Sequence, residues 1–390
     1  MSERNFWSDG RLQRVGVALL IALILACVFR YHSDSDGSSA LKRGDFPGIY
    51  SPAVIVAQGQ AERLYDVELH RAIQARAWPS FDHEMYISVY PPFTAVLLSP
   101  LALLTPETAR NVWSVVNLLC FVTALLLLQR TSVALREHFL FVATAFILYA
   151  PVLFGVLGGQ NTGISMLLFV AGIQLLSRKS PKAEFIAGLL FGLWLFKPQF
   201  GCIAGLYLLA SRRTRSLCGF ACVAALYWCL GFAVLGSDWV TTWVRATSHF
   251  ADINFSINAF QMASFAGLLS SLSHMGLFPS SAIVVTASAL SLLLLLMVFF
   301  KSARSPWLLG PVLVLISPQT LFYDVSLALV ACLPFLDFRE DRSVTLYLFS
   351  IAGVGVLFAL RDYSGLALPF LVPVFCLAFL WKREEAPLLT

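Results

Sequence analysis

Residues 109–129 read ARNVWSVVNLLCFVTALLLLQ, an apolar run in which Arg110 is the only charged side chain. A helix needs roughly 20 such residues to cross the hydrocarbon layer of a bilayer. Runs of the same character recur from Leu12 to Trp381. The 390-residue chain is 58% hydrophobic and 13% charged, and a soluble protein carries about twice that charged fraction. These features predict an all-α, polytopic transmembrane bundle with about 12 spans (11–13), and residues 1–390 form one membrane domain. The expected spans lie near 13–30, 109–129, 138–158, 161–177, 183–197, 198–211, 216–236, 279–300, 306–318, 320–337, 343–360 and 364–381. The first run ends in Arg30-Tyr31-His32 rather than a small-residue cleavage site, so it reads as a retained helix.

Short basic clusters set the expected orientation. They are Arg4/Arg11/Arg14, Arg130/Arg136, Arg178/Lys179/Lys182, Arg212/Arg213/Arg215, Lys301/Arg304, Arg339/Arg342 and Lys382/Arg383. Basic loops stay cytoplasmic, so an even number of crossings separates successive clusters, and both termini are expected inside. Two apolar stretches break this parity, Tyr90 to Leu104 and Ala259 to Met275. Prolines interrupt the first, and Ser, Gly and His dilute the second. Both read as re-entrant or surface-lying helices, tolerable at membrane depth where protein or a water-filled cavity covers them.

The remaining polar segments then collect on the outer face. They are a first outer loop at 31–89, Gly158-Gly159-Gln160-Asn161, Lys197-Pro198-Gln199, a second outer loop at 237–262, Ser317 to Asp324, and Arg361-Asp362-Tyr363. Within the first loop, Ile49 to Val56 and Leu64 to Ile73 have partly helical spacing and predict juxtamembrane helices. No internal repeat is visible, which weighs against a transporter built from inverted repeats.

The eight cysteines lie in or at the ends of apolar runs, so no disulfide framework is expected. Cys218, Cys222 and Cys229 share a helical face without a His or carboxylate and read as packing residues rather than a metal site. The six histidines show no ligand spacing. There is no nucleotide-binding glycine loop, zinc-protease helix or serine elbow, which weighs against an ATP-driven pump. The net charge of +5 is accounted for by membrane orientation and calls for no nucleic acid.

Several residues can carry chemistry. Asp45 stands beside apolar residues in Gly44-Asp45-Phe46-Pro47. A carboxylate there can take a proton from an acceptor hydroxyl. Asp66, in Leu64-Tyr65-Asp66, is its main rival among the loop acids. Lys197 joins two apolar runs, an expensive position unless the amine reaches water or an anion, and it suits phosphate; a snorkelling interfacial lysine is the plainer alternative. Gln160 and Asn161 can bond sugar hydroxyls or helix ends. Asp324 sits just inside an apolar run and needs a partner, with Lys197 or Arg361 available.

Taken in order, Asp45-Phe46 with Tyr50, Gly59-Gln60, Leu64-Tyr65-Asp66, Tyr90-Pro91-Pro92-Phe93, Leu98-Ser99-Pro100-Leu101, Trp113 with Asn117, Gly159-Gln160-Asn161, Lys197-Pro198 and Ser317-Pro318 with Tyr323-Asp324 resemble glycosyltransferase family 87, from about residue 45 to 335. The resemblance implies a GT-C fold and a polyprenyl-phosphate sugar as donor, such as polyprenol-phosphate mannose or decaprenyl-phosphate arabinofuranose. It implies a lipid-linked or glycan acceptor, membrane lipids as surroundings, and an inverting transfer outside the cytoplasmic (inner) membrane. Asp45 matches the family's catalytic acid motif. Gln319 stands where a His often follows the Ser-Pro pair, so a neutral donor replaces a positive charge and shifts carrier binding toward Lys197 or Arg361. Tyr50, Asp66, Tyr90, Gln160, Asn161, Tyr323 and Asp324 complete the expected substrate-binding set. No metal or cofactor is demanded, because the phosphate is already a good leaving group. The rival classes are a lipid or small-molecule transporter or flippase without transferase chemistry, and an inactive lipid-binding protein on the same scaffold.

Overall fold

The computed structural model describes residues 44–79, 86, 89–178, 180–301, 306–338 and 341–383. The expected span at 13–30 and parts of the first outer loop lie outside them. The described chain is helical throughout, with short 3-10 turns at the breaks and one isolated β-bridge between Met262 and Leu321.

The described part of the segment expected as the first loop contains two helices, α1 (Pro47–Ala57) and α2 (Val67–Ala77), where the spacing placed them. Next come α3 (Pro92–Leu98) and a 3-10 turn, Ser99–Leu103, in the proline-interrupted stretch. The long helix α4 (Pro106–Leu128) begins with Pro106 in the first turn and the Thr105 hydroxyl accepting from Thr108 N, a capped start. The expected span at 138–158 is a bent pair, α5 (Val133–Ile147) and α6 (Ala150–Leu157), turned by 59°. Pro151 in the first turn of α6 marks the break.

Four helices of modest length follow or nearly follow one another: α7 (Thr162–Leu176), α8 (Pro181–Leu193), α9 (Pro198–Ala210) and the longer α10 (Thr214–Leu235). Helices α8 and α10 press together through small residues. A Cβ on Gly188 would lie 1.9 Å from the Ser216 carbonyl oxygen, and one on Gly219 would lie 2.2 Å from that of Phe185. Close backbone approach of this kind supplies the van der Waals contact that joins helices in lipid.

Residues 237–262 are mostly helix, α11 (Trp239–Asn258), followed by the short α12 (Phe265–His274) in the diluted stretch. The chain closes with α13 (Ile283–Lys301), α14 (Leu309–Ile316), α15 (Ser326–Cys332), α16 (Asp341–Ser364) and α17 (Leu371–Arg383).

Among the described residues, three helices are long and apolar enough to cross a bilayer: Pro106–Leu128, Thr214–Leu235 and Ser280–Val298; the bent pair would make a fourth. The expected crossings at 161–177, 183–197, 198–211, 306–318 and 320–337 are shorter apolar helices joined at polar breaks. Hydropathy reports an apolar run without its bends, and at 1.5 Å per residue the 13-residue α9 covers about 20 Å of the ~30 Å hydrocarbon layer. Apolar residues face outward on the helices, with Val284 of α13 75% and Leu140 of α5 80% exposed, as lipid-facing positions are. The interior packs aromatic rings, with Trp194 fully buried among Phe169, Phe191 and Phe200. The seven described cysteines are free.

Candidate active site

The polar breaks meet. Asp45 sits in the turn entering α1, and its backbone N–H donates to the Gly158 carbonyl at 2.8 Å. Two glycines allow this approach. Gly44 has φ +52° and Gly159 φ +69°, conformations that cost a side-chain-bearing residue about 1–2 kcal/mol. A Cβ on Gly159 would fall 2.6 Å from the Phe46 Cβ. The Trp113 indole N–H, from α4, donates to the Gly159 carbonyl at 2.8 Å and pins the turn from behind.

Gly159→Ala therefore combines positive-φ strain with a clash, and it should destabilise the protein by about 1–3 kcal/mol. Gly59→Ala is the matched comparison, with φ +70° and nothing within 4 Å of the added Cβ. Thermal unfolding in detergent should place Gly159→Ala clearly below Gly59→Ala; equal melting temperatures would mean that the two turns are not pressed together.

Two side chains from distant parts of the chain close on one oxygen of Asp45. The Gln160 side-chain amide donates to Asp45 Oδ2, and the Tyr323 hydroxyl donates to the same oxygen at 2.8 Å. Gln160 Nε2 also donates to the Tyr323 oxygen at 2.9 Å. Burial pushes the Asp45 carboxyl above its ordinary value; the Tyr323 hydrogen bond and the Lys197 charge pull it back without cancelling the rise. Beside this ring, Asn161 Nδ2 donates to the Tyr90 hydroxyl at 2.8 Å, and the Tyr65 hydroxyl donates to the Tyr90 carbonyl at 2.9 Å.

Lys197 and Asp324 form a buried ion pair, Nζ to Oδ1 2.8 Å, with side chains 7% and 4% exposed. Lys197 lies at the break before α9, where Pro198 starts the new helix. Asp324 lies in the 3-10 turn Phe322–Val325. The amine also stands 5.2 Å over the Phe200 ring. Lys197 is thus paired inside the protein rather than snorkelling to water. An ammonium has three N–H donors, and Asp324 engages one of them.

Other expected site residues fall elsewhere. Asp66 caps α2: Oδ1 accepts from Glu68 N and Leu69 N, and Oδ2 from the Arg63 guanidinium. Those bonds hold its carboxyl below the usual range. Tyr50 donates to the Leu104 carbonyl at 3.1 Å, and its ring packs with Phe46 and Trp78. Gln319 is half-buried. Arg361 belongs to α16, with its side chain outside the described set.

Sequence reasoning passed over the network that fastens α1 to α2. Buried His70 bridges Ser51 Oγ (2.7 Å) and the Leu64 carbonyl (2.7 Å), and Gln74 Nε2 donates to Ser51 Oγ at 3.0 Å. The available signal was His70 and Gln74 one turn apart, able to face the same neighbour. Burial lowers the His70 pKa, favouring the neutral ring.

The model of glycosyltransferase family 87 matches residues 89–318, more than half of the chain. The chain belongs to glycosyltransferase family 87. Comparison with curated proteins and with solved structures finds no match. The family 87 match includes Tyr90, Gln160, Asn161 and Lys197. Asp45, Tyr323 and Asp324 fall outside its limits, and the hydrogen bonds above are what join them to the matched part. Family 87 membership and the apolar helices together make this a membrane glycosyltransferase.

Proposed function

We propose that this family 87 protein transfers a sugar from a polyprenyl-phosphate carrier to a hydroxyl of a lipid-linked or glycan acceptor, with inversion, at the outer face of the cytoplasmic membrane. The observation that carries the reading is the half-buried Asp45 carboxylate, held by Gln160 and Tyr323 close enough to Lys197 to feel its charge. Asp45 takes the acceptor hydroxyl proton as that oxygen attacks the anomeric carbon. The bond from the anomeric carbon to the phosphate oxygen breaks, and the phosphate leaves with the electron pair. Lys197 meets that charge through the N–H donors Asp324 leaves open. Asp324 orients the amine. Asn161 and Tyr90, bonded to each other beside Asp45, are the groups that would sort sugar hydroxyls. The Asp66 oxygens are committed to a helix cap and an arginine, which favours Asp45 as the base.

The test is direct. A deletion strain should lose one lipid-linked glycan by mass spectrometry, and the purified protein should restore it from a polyprenyl-phosphate sugar. An unaltered glycolipid profile together with carrier movement across vesicles would favour a flippase.

Orientation has its own expected result. In a cysteine-free background, a single cysteine at exposed Glu62 should react with an impermeant maleimide in intact cells. One at exposed Ser177 should react only after permeabilisation. The reverse pattern would put Asp45 on the cytoplasmic side.

A further inference from the structure

The proton arithmetic around Asp45 goes further. Gln160 Nε2 carries two hydrogens, one pointing to Asp45 Oδ2 and the other to the Tyr323 oxygen. The single Tyr323 hydroxyl hydrogen points to Asp45 Oδ2. Two of the three hydrogens in this triangle are spent on bonds that need Oδ2 as an acceptor, and the third goes to the Tyr323 oxygen. A proton on Oδ2 would face two donors and break at least one bond, whereas a proton on Oδ1 leaves all three intact. Oδ1 takes no hydrogen bond among the described residues. The donors come from the turn before α7 and from the 3-10 turn before α15, so the carboxylate is gripped from two sides and cannot rotate without losing both.

We propose that Tyr323 and Gln160 are positioning residues for Asp45: by filling Oδ2 they present Oδ1 as the atom that receives the acceptor proton. The inference rests on Asp45 being the base and assigns the two residues to the carboxylate rather than to sugar binding. The titratable groups acting on Asp45 are Tyr323 itself and Lys197 at the head of α9; Asp45 in turn acts on Tyr90 ahead of α3, and Asp324, paired with Lys197, acts on both tyrosines. A hydrogen bond to the ionised form lowers a carboxyl pKa, so losing a donor raises it.

The experiment needs no substrate. Infrared difference spectra of the full chain in detergent, taken with and without an added Asp45→Asn change, isolate the carboxylic C=O band of Asp45 and its titration midpoint. Tyr323→Phe keeps the ring and removes only the hydroxyl. Its midpoint should rise by about one pH unit, and the C=O band should move to higher frequency as Oδ2 loses a donor. Gln160→Met removes the other donor and should shift both readouts in the same directions, which keeps the test alive if either variant folds poorly. An unmoved midpoint and band in a folded variant would overturn the assignment. Turnover of Asp45→Asn reports separately on the base: an active Asp45→Asn would fail the base reading even if the titration shifts, and a dead one with unmoved spectra would fail only the positioning roles.

Discussion

Asp45→Asn should slow sugar transfer by about 100-fold or more, the usual range for losing general-base help, while donor binding persists. Asn keeps the shape and can still accept from Tyr323 and Gln160, so the three-sided contact survives and only the proton sink is lost. The carboxylate also repels a phosphate, so its removal should not weaken the donor. Asp66→Asn is the comparison. It removes the carboxylate charge opposite Arg63 and weakens the cap of α2, which should lower stability slightly and leave turnover close to wild type. Rates measured on monodisperse protein with a polyprenyl-phosphate sugar and membrane lipid acceptors decide between them. A dead Asp66→Asn beside an active Asp45→Asn would move the base to α2. Because burial holds the Asp45 carboxyl above its ordinary value, the wild-type rate should fall as pH drops through that raised value, when the base becomes protonated.

Lys197→Met should destabilise the protein by about 3–5 kcal/mol, because it strands the Asp324 charge in a buried site. Asp324 is 3% exposed, and Lys197 is its only ion-pair partner among the described residues. The double variant Lys197→Met/Asp324→Leu removes both charges and should recover most of that loss, since an apolar pair of similar volume is often neutral. Thermal and denaturant unfolding of the two singles and the double measure this. Donor binding then separates the roles of the lysine. A stable double variant that no longer binds a polyprenyl-phosphate sugar makes Lys197 a phosphate ligand. A stable double variant with normal donor affinity reduces it to half of a structural pair.

The comparison of Asp45 with Asp66 shows how far the chain could be read. Both are acids in the same loop flanked by apolar residues, and composition cannot separate them. Their difference lies in who reaches them. Asp66 is satisfied by Arg63, Glu68 and Leu69, all within three positions, a local helix cap of the kind sequence can reveal. Asp45 is satisfied by Gln160 and Tyr323, 115 and 278 positions away, and no local pattern encodes such a meeting. Among the described residues three helices, or four with the bent pair, have the length and composition of a crossing, against the twelve expected. A hydropathy window registers α5 and α6 as one run, and it cannot tell a crossing from the shorter helices on either side of Lys197.

By itself the sequence determined that the chain is membrane-embedded and all-helical, which helices occupy the first loop, and which family's ordered motifs it carries. Those properties depend on composition, helical period and motif order, all written along the chain. Only the tertiary structure decided which acid is gripped by distant donors, which partner Asp324 takes, and where apolar runs bend. Each of these depends on side chains from separate helices arriving within 3 Å of one another, held there by backbone contacts such as the one between Gly44 and Gly158. Packing in three dimensions sets those distances, and a one-dimensional pattern does not contain them.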